Sequence, residues 1–136
     1  MQWDDSPHAG FSTARPWLKV HPNYIQRNVA AQSDDPASML NFTKLLSALR
    51  KSQSALRRGD FTPVAATRHV LAYLRSDESQ KILVVMNFTS RPRTLRLPAD
   101  IHPGVPILTI AEASCSPLDH TLHLAPYEVA LYLIQD

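Results

Sequence analysis

Acidic residues are the first candidates for chemistry, because hydrolysis of a glycosidic bond needs two carboxyl groups that face each other about 5 to 10 Å apart. The sequence has acidic pairs at Asp4-Asp5, Asp34-Asp35 and Asp77-Glu78. Neighbours in sequence usually point apart, and aspartate stabilises turns and helix starts by accepting hydrogen bonds from nearby N–H groups. We therefore predict that these pairs serve turns and caps and do not form a catalytic pair.

Histidine and cysteine residues are the second candidates. His120 and His123 face opposite sides of a predicted strand, and no third metal ligand occurs at a recognisable spacing. Cys115 is the one cysteine, and the sequence gives it no histidine partner that would lower its pKa. An enzyme site built from these three residues stays an open alternative, but the pattern favours exposed histidines and a passive thiol in a loop. We predict no metal site and no cofactor.

Composition excludes several classes of protein. The 14 basic and 12 acidic side chains give a net charge of +2, and no block of five like charges occurs, so we expect no nucleic-acid partner. Three glycines among 136 residues leave no phosphate-binding loop or dinucleotide motif. No apolar stretch approaches a membrane span of about 18 residues, and the polar start is unlike a signal peptide. With a single cysteine, these features predict a cytoplasmic protein without a membrane partner.

The first 33 residues show no regular period and contain an unusual number of aromatic side chains. Trp3, Phe11, Trp17 and Tyr24 are four aromatics in 24 residues, against six in the other 112. Exposed rings cover the apolar face of a pyranose in many sugar sites, which makes an oligosaccharide a candidate ligand. The alternative is that the rings anchor an irregular loop to a neighbouring surface. A loop of this length in a compact domain requires one of these explanations.

A helix is predicted over residues 36–57, with Asp35 as its N-cap, Pro36 in its first turn and Gly59 as its stop signal. At 100° per residue the apolar side chains fall within an arc of about 120°. We therefore expect one buried face, formed by Met39, Phe42, Leu45, Leu46, Leu49 and Leu56.

After Gly59 the apolar period becomes 2, or short apolar runs separated by turn residues, which is typical of β-structure. The predicted fold class is α+β and mainly β: an irregular N-terminal loop, one amphipathic helix, and an antiparallel β-sandwich of about seven strands. Residues 82–86 are all apolar, which predicts a central strand covered on both faces. The predicted strands are 61–65, 69–75, 82–88, 94–97, 105–110, 121–124 and 129–134.

Several short motifs resemble one family of enzymes. Met1-Gln2-Trp3-Asp4-Asp5-Ser6, Ala9-Gly10-Phe11, Pro16-Trp17 and Asn23-Tyr24 follow in the order and spacing seen after the last barrel strand of the α-glucosidases of glycoside hydrolase family 13, the α-amylase family. The run from Asp35 to Phe61 resembles the last barrel helix of that family. Downstream, Leu83-Val84-Val85-Met86-Asn87-Phe88 and Leu124-Ala125-Pro126-Tyr127-Glu128 resemble its C-terminal sandwich.

The resemblance implies a division into residues 1–59, the last loop and helix of a (β/α)8 barrel, and residues 60–136, the sandwich domain. It implies that Gln2, Trp3 and Asp4 border the sugar site. In the family the two catalytic carboxylates and a second substrate-binding aspartate lie on earlier barrel strands, and none has a counterpart in this sequence, so no catalytic residue is assigned. Ser54 stands where relatives often have proline, which predicts a helix that continues to Arg57 without a break.

Two functional hypotheses follow. The first is the C-terminal portion of a split or truncated α-glucosidase for short α-linked glucosides, without activity of its own. The second is a free-standing carbohydrate-binding or scaffold module that has kept the flanking loop and helix. In either case the helix leaves an apolar stripe that requires a partner. The expected partner is the missing catalytic barrel or a second copy of the chain, docked on Met39, Phe42, Leu46 and Leu49.

Overall fold

A computed structural model describes residues 1–110, 114–116 and 120–134, with the backbone alone for 114–116. The chain forms two compact units, Met1–Arg50 and Lys51–Asp136, called here the first and second unit. The first unit begins with two 3-10 turns, Pro7–Gly10 and Pro22–Ile25, and continues with helix α1 (Val29–Asp34). The sequence predicts irregular structure for residues 1–33, and α1 was missed because a six-residue helix is too short to show a period.

The amphipathic helix is confirmed as α2 (Met39–Ser52), but it begins three residues later than predicted. The Asp35 carboxylate accepts from the Ala37 N–H (2.9 Å), which stabilises a turn between α1 and α2. The Ser38 hydroxyl accepts from the Asn41 N–H (3.1 Å), the hydrogen bond expected of an N-cap. The prediction of Asp35 as the cap of this helix is therefore wrong, because a second candidate cap lies three residues downstream.

The apolar face of α2 is largely exposed. Met39 is 71% exposed, Leu45 52% and Leu46 38%, while Phe42 and Leu49 are half-buried. No residue of α2 is buried. The stripe expected from the helical period is thus present on the surface of the chain, and its members are too large and apolar to be ordinary solvent-facing residues.

The second unit begins with helix α3 (Ser54–Arg58), separated from α2 by Gln53, whose backbone is extended (φ −102°, ψ 113°). The prediction of one helix continuing to Arg57 is therefore wrong. The Ser54 hydroxyl accepts from the Gln80 amide nitrogen (2.8 Å) and lies 3.1 Å from the Ser79 hydroxyl, and Ala55 is fully buried. These tertiary contacts fix the direction of α3, although Ser54 is not the proline that usually breaks the helix.

Eight strands follow among the described residues. They form two antiparallel sheets, a five-stranded one with the order β1-β2-β3-β8-β5 and a three-stranded one with the order β4-β7-β6. The strands are β1 (Asp60–Ala66), β2 (Val70–Ser76), β3 (Lys81–Asn87), β4 (Arg93–Arg96), β5 (Pro103–Thr109), β6 (Ser114–Ser116), β7 (Thr121–Leu124) and β8 (Val129–Ile134).

The seven predicted strands are all present, two with the predicted bounds and five with bounds that differ by one or two residues. Strand β6 was not predicted, and it places the backbone of Cys115 in a strand and not in a loop. The pairing of Cys115 with Leu122 of β7 explains the error, because a three-residue strand is selected by its partner more than by its own pattern. The side chain of Cys115 lies outside the described residues.

The core of the second unit lies between the two sheets. Inward-facing residues of both sheets alternate with exposed ones, as on β7, where Leu122 and Leu124 are buried and His123 is exposed. Strand β3 is buried on both faces, as predicted, with four consecutive buried residues from Ile82 to Val85. Helix α3 packs against β2 and β3. The buried core residues are Val70, Ala72, Leu83, Val85, Leu97, Ile101, Leu122, Leu124, Ala130 and Tyr132.

None of the helices in the described ranges has the length and apolarity required to cross a lipid bilayer.

Candidate functional site

The segment Gln2–Asp4 is held against the start of α1 by backbone hydrogen bonds. The Val29 N–H donates to the Gln2 carbonyl and the Ala30 N–H to the Trp3 carbonyl, both at 2.9 Å. The Trp3 N–H donates to the Ala9 carbonyl (2.9 Å), which closes the loop that follows. These three bonds give the motif at the start of the chain a fixed position within the first unit.

The side-chain amide of Gln2 forms hydrogen bonds within the first unit. Its amide nitrogen donates to the Arg27 carbonyl (3.1 Å) and its amide oxygen accepts from the Tyr24 N–H (3.2 Å) when the amide is oriented to satisfy both ends. Gln2 is half-buried. Its amide therefore joins the start of the chain to the turn that precedes α1, and its first role is to position the neighbouring Trp3.

Asp4 occupies a tight position opposite Gly10. Its Oδ1 accepts from both the Ser6 N–H (2.9 Å) and the Ser6 hydroxyl, and these bonds hold the pKa of Asp4 below its ordinary value. A Cβ placed on Gly10 would lie 2.5 Å from either carboxylate oxygen. Gly10 has a φ of +69°, so both its backbone conformation and its contact with Asp4 require glycine.

Two residues before Gly10 share its left-handed conformation. His8 and Ala9 have φ values of 62° and 60°, and Ala9 is fully buried. Left-handed backbone at non-glycine residues costs about 1–3 kcal/mol at each position and is concentrated at functional sites. The sequence contained the motif Ala9-Gly10-Phe11 but gave no reason for it, because a positive φ at His8 and Ala9 leaves no signature in residue type.

Three aromatic rings of the first unit are exposed. Trp3 and Phe11 are each 49% exposed and Trp17 is 93% exposed, whereas Tyr24 is half-buried. Phe11 also lines a shallow surface groove together with Ser6, Pro7, His8, Gly10, Ser12 and Thr13. Flat exposed rings beside hydroxyl groups suit the face of a pyranose ring better than a charged or metal ligand.

Asp77 has a turn role of the kind predicted for the acidic pairs, as does Asp35 between α1 and α2. Asp77 accepts from the Ser79 N–H (2.9 Å), the Ser79 hydroxyl (2.8 Å) and the Gln80 N–H (3.0 Å). Hydrogen bonding from Ser54, followed by that from Ser79, lowers the pKa of Asp77 to about 2. These bonds close the turn between β2 and β3.

The histidines do not converge on a metal site. His123 is exposed on β7, while His120 lies before that strand with its ring 5.0 Å from the ring of His102. No group of three potential metal ligands occurs among the residues that the structure describes.

Two family models match consecutive parts of the chain. A family model described as "Alpha amylase, catalytic domain" matches residues 1–59, and one described as "Maltogenic Amylase, C-terminal domain" matches residues 60–131. The chain is 33% identical over 135 residues to the "Probable oligo-1,6-glucosidase 2" of Bacillus subtilis (strain 168). It is also 33% identical over 138 residues to the "Oligo-1,6-glucosidase" of Bacillus cereus.

Solved structures give the same result. The trehalulose synthase of Pseudomonas mesoacidophila MX-45 superposes with a TM-score of 0.86 at 35% identity, and an isomaltulose synthase variant of Erwinia rhapontici NX5 with a TM-score of 0.85 at 32% identity. These matches cover 98% and 99% of this chain but 24% of each structure. The chain likewise spans 24% of the Bacillus subtilis relative and 25% of the Bacillus cereus one.

An aromatic loop and helix of catalytic-domain type, followed by an antiparallel sandwich, define the C-terminal region of a glycoside hydrolase. The chain belongs to glycoside hydrolase family 13, the α-amylase family, and corresponds to the C-terminal quarter of its α-glucosidase-type members.

Proposed function

We propose that this chain is part of an α-glucosidase that acts on short α-linked glucosides, and that the 136 residues are catalytically incomplete by themselves. The observation that carries the proposal is the match of a catalytic-domain family model to residues 1–59, a stretch that holds one loop and the barrel-type helix. Asp4, Asp35, Asp77 and Glu128 accept hydrogen bonds in loops and turns. Two facing carboxyl groups would have to come from the rest of the catalytic domain.

Within this function, residues 1–59 complete the barrel and residues 60–136 form the supporting sandwich. Gln2, Trp3 and Asp4 border the sugar site. The half-exposed ring of Trp3 is the group that contacts sugar, while Gln2 and Asp4 hold the loop through the hydrogen bonds described above.

The partner of the α2 face in this proposal is the rest of the catalytic barrel. Met39 and Leu46 are exposed, and Phe42 and Leu49 are half-buried beside them. A barrel helix buries such a stripe against its neighbours in the ring of helices. Burial of apolar surface contributes about 25 cal/mol per Å², so an exposed stripe of this kind favours association.

Sedimentation of the pure chain tests whether the partner of the α2 face is the barrel or a second copy of the chain. We expect a monomer at micromolar concentration, because a helix of 14 residues offers a stripe smaller than the interface of a stable dimer. A dimer that dissociates on Leu46→Glu would assign the stripe to self-association and contradict docking on the barrel.

The activity is tested with isomaltose, maltose and an aryl α-glucoside. The pure chain is expected to give no turnover. A chimera that joins it to the preceding catalytic part of the Bacillus subtilis probable oligo-1,6-glucosidase 2 is expected to hydrolyse at least one of the three substrates. Turnover by the chain alone, or a folded chimera without activity, would contradict the proposal.

The role of Trp3 is tested in the same chimera. Trp3→Ala is expected to raise the KM for isomaltose by about tenfold, since an aromatic contact of this size contributes about 0.5–1.5 kcal/mol beyond its buried area. Trp17→Ala is the matched control and is expected to change KM by less than twofold. Equal effects of both substitutions would remove Trp3 from the sugar site.

A saccharide-binding module without chemistry is the second candidate, favoured by the 93% exposure of Trp17. It predicts that the isolated chain binds maltodextrin in calorimetry and loses this heat on Trp17→Ala. Absence of heat with any glucan would eliminate the module.

A cytoplasmic location forms part of the proposal. A single cysteine in 136 residues supports a reducing compartment. Fractionation of the source cells tests the location, and recovery of the protein outside the cytoplasm would contradict it.

A further inference from the structure

Three loops of the second unit meet at one end of the sandwich. They are the turn between β1 and β2 (67–69), the connection between β3 and β4 (88–92) and the turn between β7 and β8 (125–128). The Phe88 N–H donates to the His69 carbonyl (2.9 Å), and the Tyr127 N–H donates to the Thr89 carbonyl (3.0 Å). These loops therefore form one continuous surface, called here the loop surface.

Asn87 holds the loop surface in place. It is 2% exposed, and its amide nitrogen donates to the carbonyls of Arg91 (2.9 Å) and Ala125 (2.8 Å). Its amide oxygen accepts from the Thr89 N–H (3.0 Å), and its own N–H donates to the Glu128 carbonyl (2.8 Å). A buried side chain that joins two loops in this way positions them before any ligand arrives.

Three arginines lie on or beside the loop surface. Arg68 and Arg91 are exposed and Arg93 is half-buried. The Arg68 Nε donates to the His69 ring (3.3 Å) and the Arg93 Nε to the Thr89 hydroxyl (3.3 Å). Across the described ranges, no carboxylate has a hydrogen bond to any of these guanidinium groups.

The acidic residue of these loops is Glu128, and it does not cover the arginines. It is fully buried, and its Oε2 accepts from the Ala125 N–H inside the turn. Burial, and then the charges of Arg93 and Arg68, lower the pKa of His69. The loop surface therefore carries a positive potential although the whole chain has a charge of only +2.

Two aromatic rings stand among these arginines. Phe88 is 57% exposed and Tyr127 is 65% exposed. Tyr127 has a φ of 55°, a conformation that is rare for an aromatic residue and that the turn imposes. Exposed rings beside guanidinium groups that have no carboxylate partner among the described residues combine an apolar platform with anion-binding donors.

We propose that the loop surface binds an acidic polysaccharide, with Arg68, Arg91 and Arg93 facing its carboxylates and Phe88 and Tyr127 packing against its sugar rings. This binding is a function separate from glucoside hydrolysis. A single exposed ion pair contributes little, so a ligand with one charge would bind weakly, whereas a polymer engages several arginines together. A net charge of only +2 gives the chain little attraction for the dense phosphates of a nucleic acid, so a polymer with one carboxylate per sugar is the better match.

Calorimetry of the 136-residue chain with polygalacturonate, at low ionic strength, tests the proposal. Binding is expected and should weaken by about tenfold when salt is raised from about 20 to 200 mM, because exposed charges are screened. Neutral dextran should not bind. The double variant Arg68→Ala/Arg91→Ala should lose about tenfold in affinity, whereas Arg57→Ala/Arg58→Ala on α3, which removes the same charge, should lose less than about twofold.

A ring variant makes the test independent of charge. Phe88→Ala should lower the affinity by about fivefold without a change in salt dependence, since the ring contributes stacking and no charge. Circular dichroism checks that each variant is folded. If the double variant is not folded, Arg68→Gln replaces it in the affinity measurement. Absence of binding to polygalacturonate, equal losses in both arginine pairs, or equal affinity for single-stranded DNA would overturn the proposal.

Discussion

In the second unit ten buried apolar residues form one core, eight of them on strands of the two sheets, whereas Ala9 is the one buried apolar residue among those described in the first unit. The other buried residues of the first unit are polar, Asn28 and Ser38, and both cap helices through their side chains. The large apolar side chains of α2 lie on the surface instead. Hydrogen bonds thus fix the local structure of the first unit, but its described residues do not form an apolar core like that of the second unit.

This difference has a consequence for how each unit responds to change. Burial of apolar surface is the dominant favourable contribution to folding, and a hydrogen bond adds a net of about 0.5–1.5 kcal/mol. The second unit therefore has the contacts of a stable domain. The first unit lacks such contacts, and the proposed docking of the α2 face on the rest of the barrel would supply them.

The largest expected effect comes from the sandwich core. Leu122→Ala removes a fully buried side chain and is expected to lower the free energy of unfolding by about 2–5 kcal/mol in a urea titration. Leu46→Ala on α2, which removes the same atoms from a partly exposed position, should cost no more than about 0.5 kcal/mol. A comparable loss for both substitutions would show that α2 is already packed in the isolated chain.

The next effect concerns the left-handed loop. Gly10→Ala places a Cβ against the Asp4 carboxylate at a φ of +69° and is expected to destabilise the loop by about 1–3 kcal/mol. Hydrogen exchange of the Trp3 amide, which bonds to the Ala9 carbonyl, measures the loss. Thr13→Ala, in the same loop but exposed, serves as the control. Unchanged exchange at Trp3 in the glycine variant would refute this account of the loop.

A smaller effect is expected at the cap of α1. Asn28 accepts from the Ala31 N–H (2.8 Å) and donates to the Tyr24 carbonyl (2.8 Å), so Asn28→Ala should cost about 0.5–2 kcal/mol. The loss should be visible as faster hydrogen exchange in α1 and not as a lower unfolding temperature of the sandwich. Gln26→Ala is the exposed control. A lower unfolding temperature of the sandwich in Asn28→Ala would contradict this expectation.

The smallest expected effect is a change in the stability of the second unit with pH, caused by Asp77. The pKa of Asp77 is about 2 in the folded chain against 3.8 for an ordinary aspartate, so its charged form stabilises the folded state at pH values above 3.8. That stabilisation is lost as the pH falls from 3.8 to about 2. Asp77→Asn should thus be less stable than the original chain at pH 7 and converge with it in acid. A constant difference at all pH values would exclude this mechanism.

Most of the fold could be predicted from the sequence, because the periods that define it are local. The unbroken apolar run at 82–86 and the alternation at 121–124 predicted their strands and their buried faces correctly. The errors have a common origin in tertiary contacts. Strand β6 forms on β7, α3 is directed by Ser79 and Gln80, and the start of α2 is decided by competition between two caps.

The candidate site was predictable only in part. Gln2, Trp3 and Asp4 were predicted from the order of short motifs that resemble the family, and not from a periodic pattern of apolar residues. The sequence could not show that the Gln2 amide bonds to the turn before α1, because that contact joins residues far apart in the chain. Nor could it show that Asp4 lies against Gly10, because that contact depends on a backbone turn with three consecutive positive φ values.

Hydrogen exchange of α2 tests the central claim most directly. Amides of residues 39–52 are to be followed by mass spectrometry in the isolated chain and in the chimera with the Bacillus subtilis catalytic part, with β3 as the internal reference. We expect fast exchange in the chain and at least about tenfold slower exchange in the chimera, since buried helices open less often. Equally slow exchange of α2 in both proteins would contradict the claim that its apolar face belongs to an incomplete barrel.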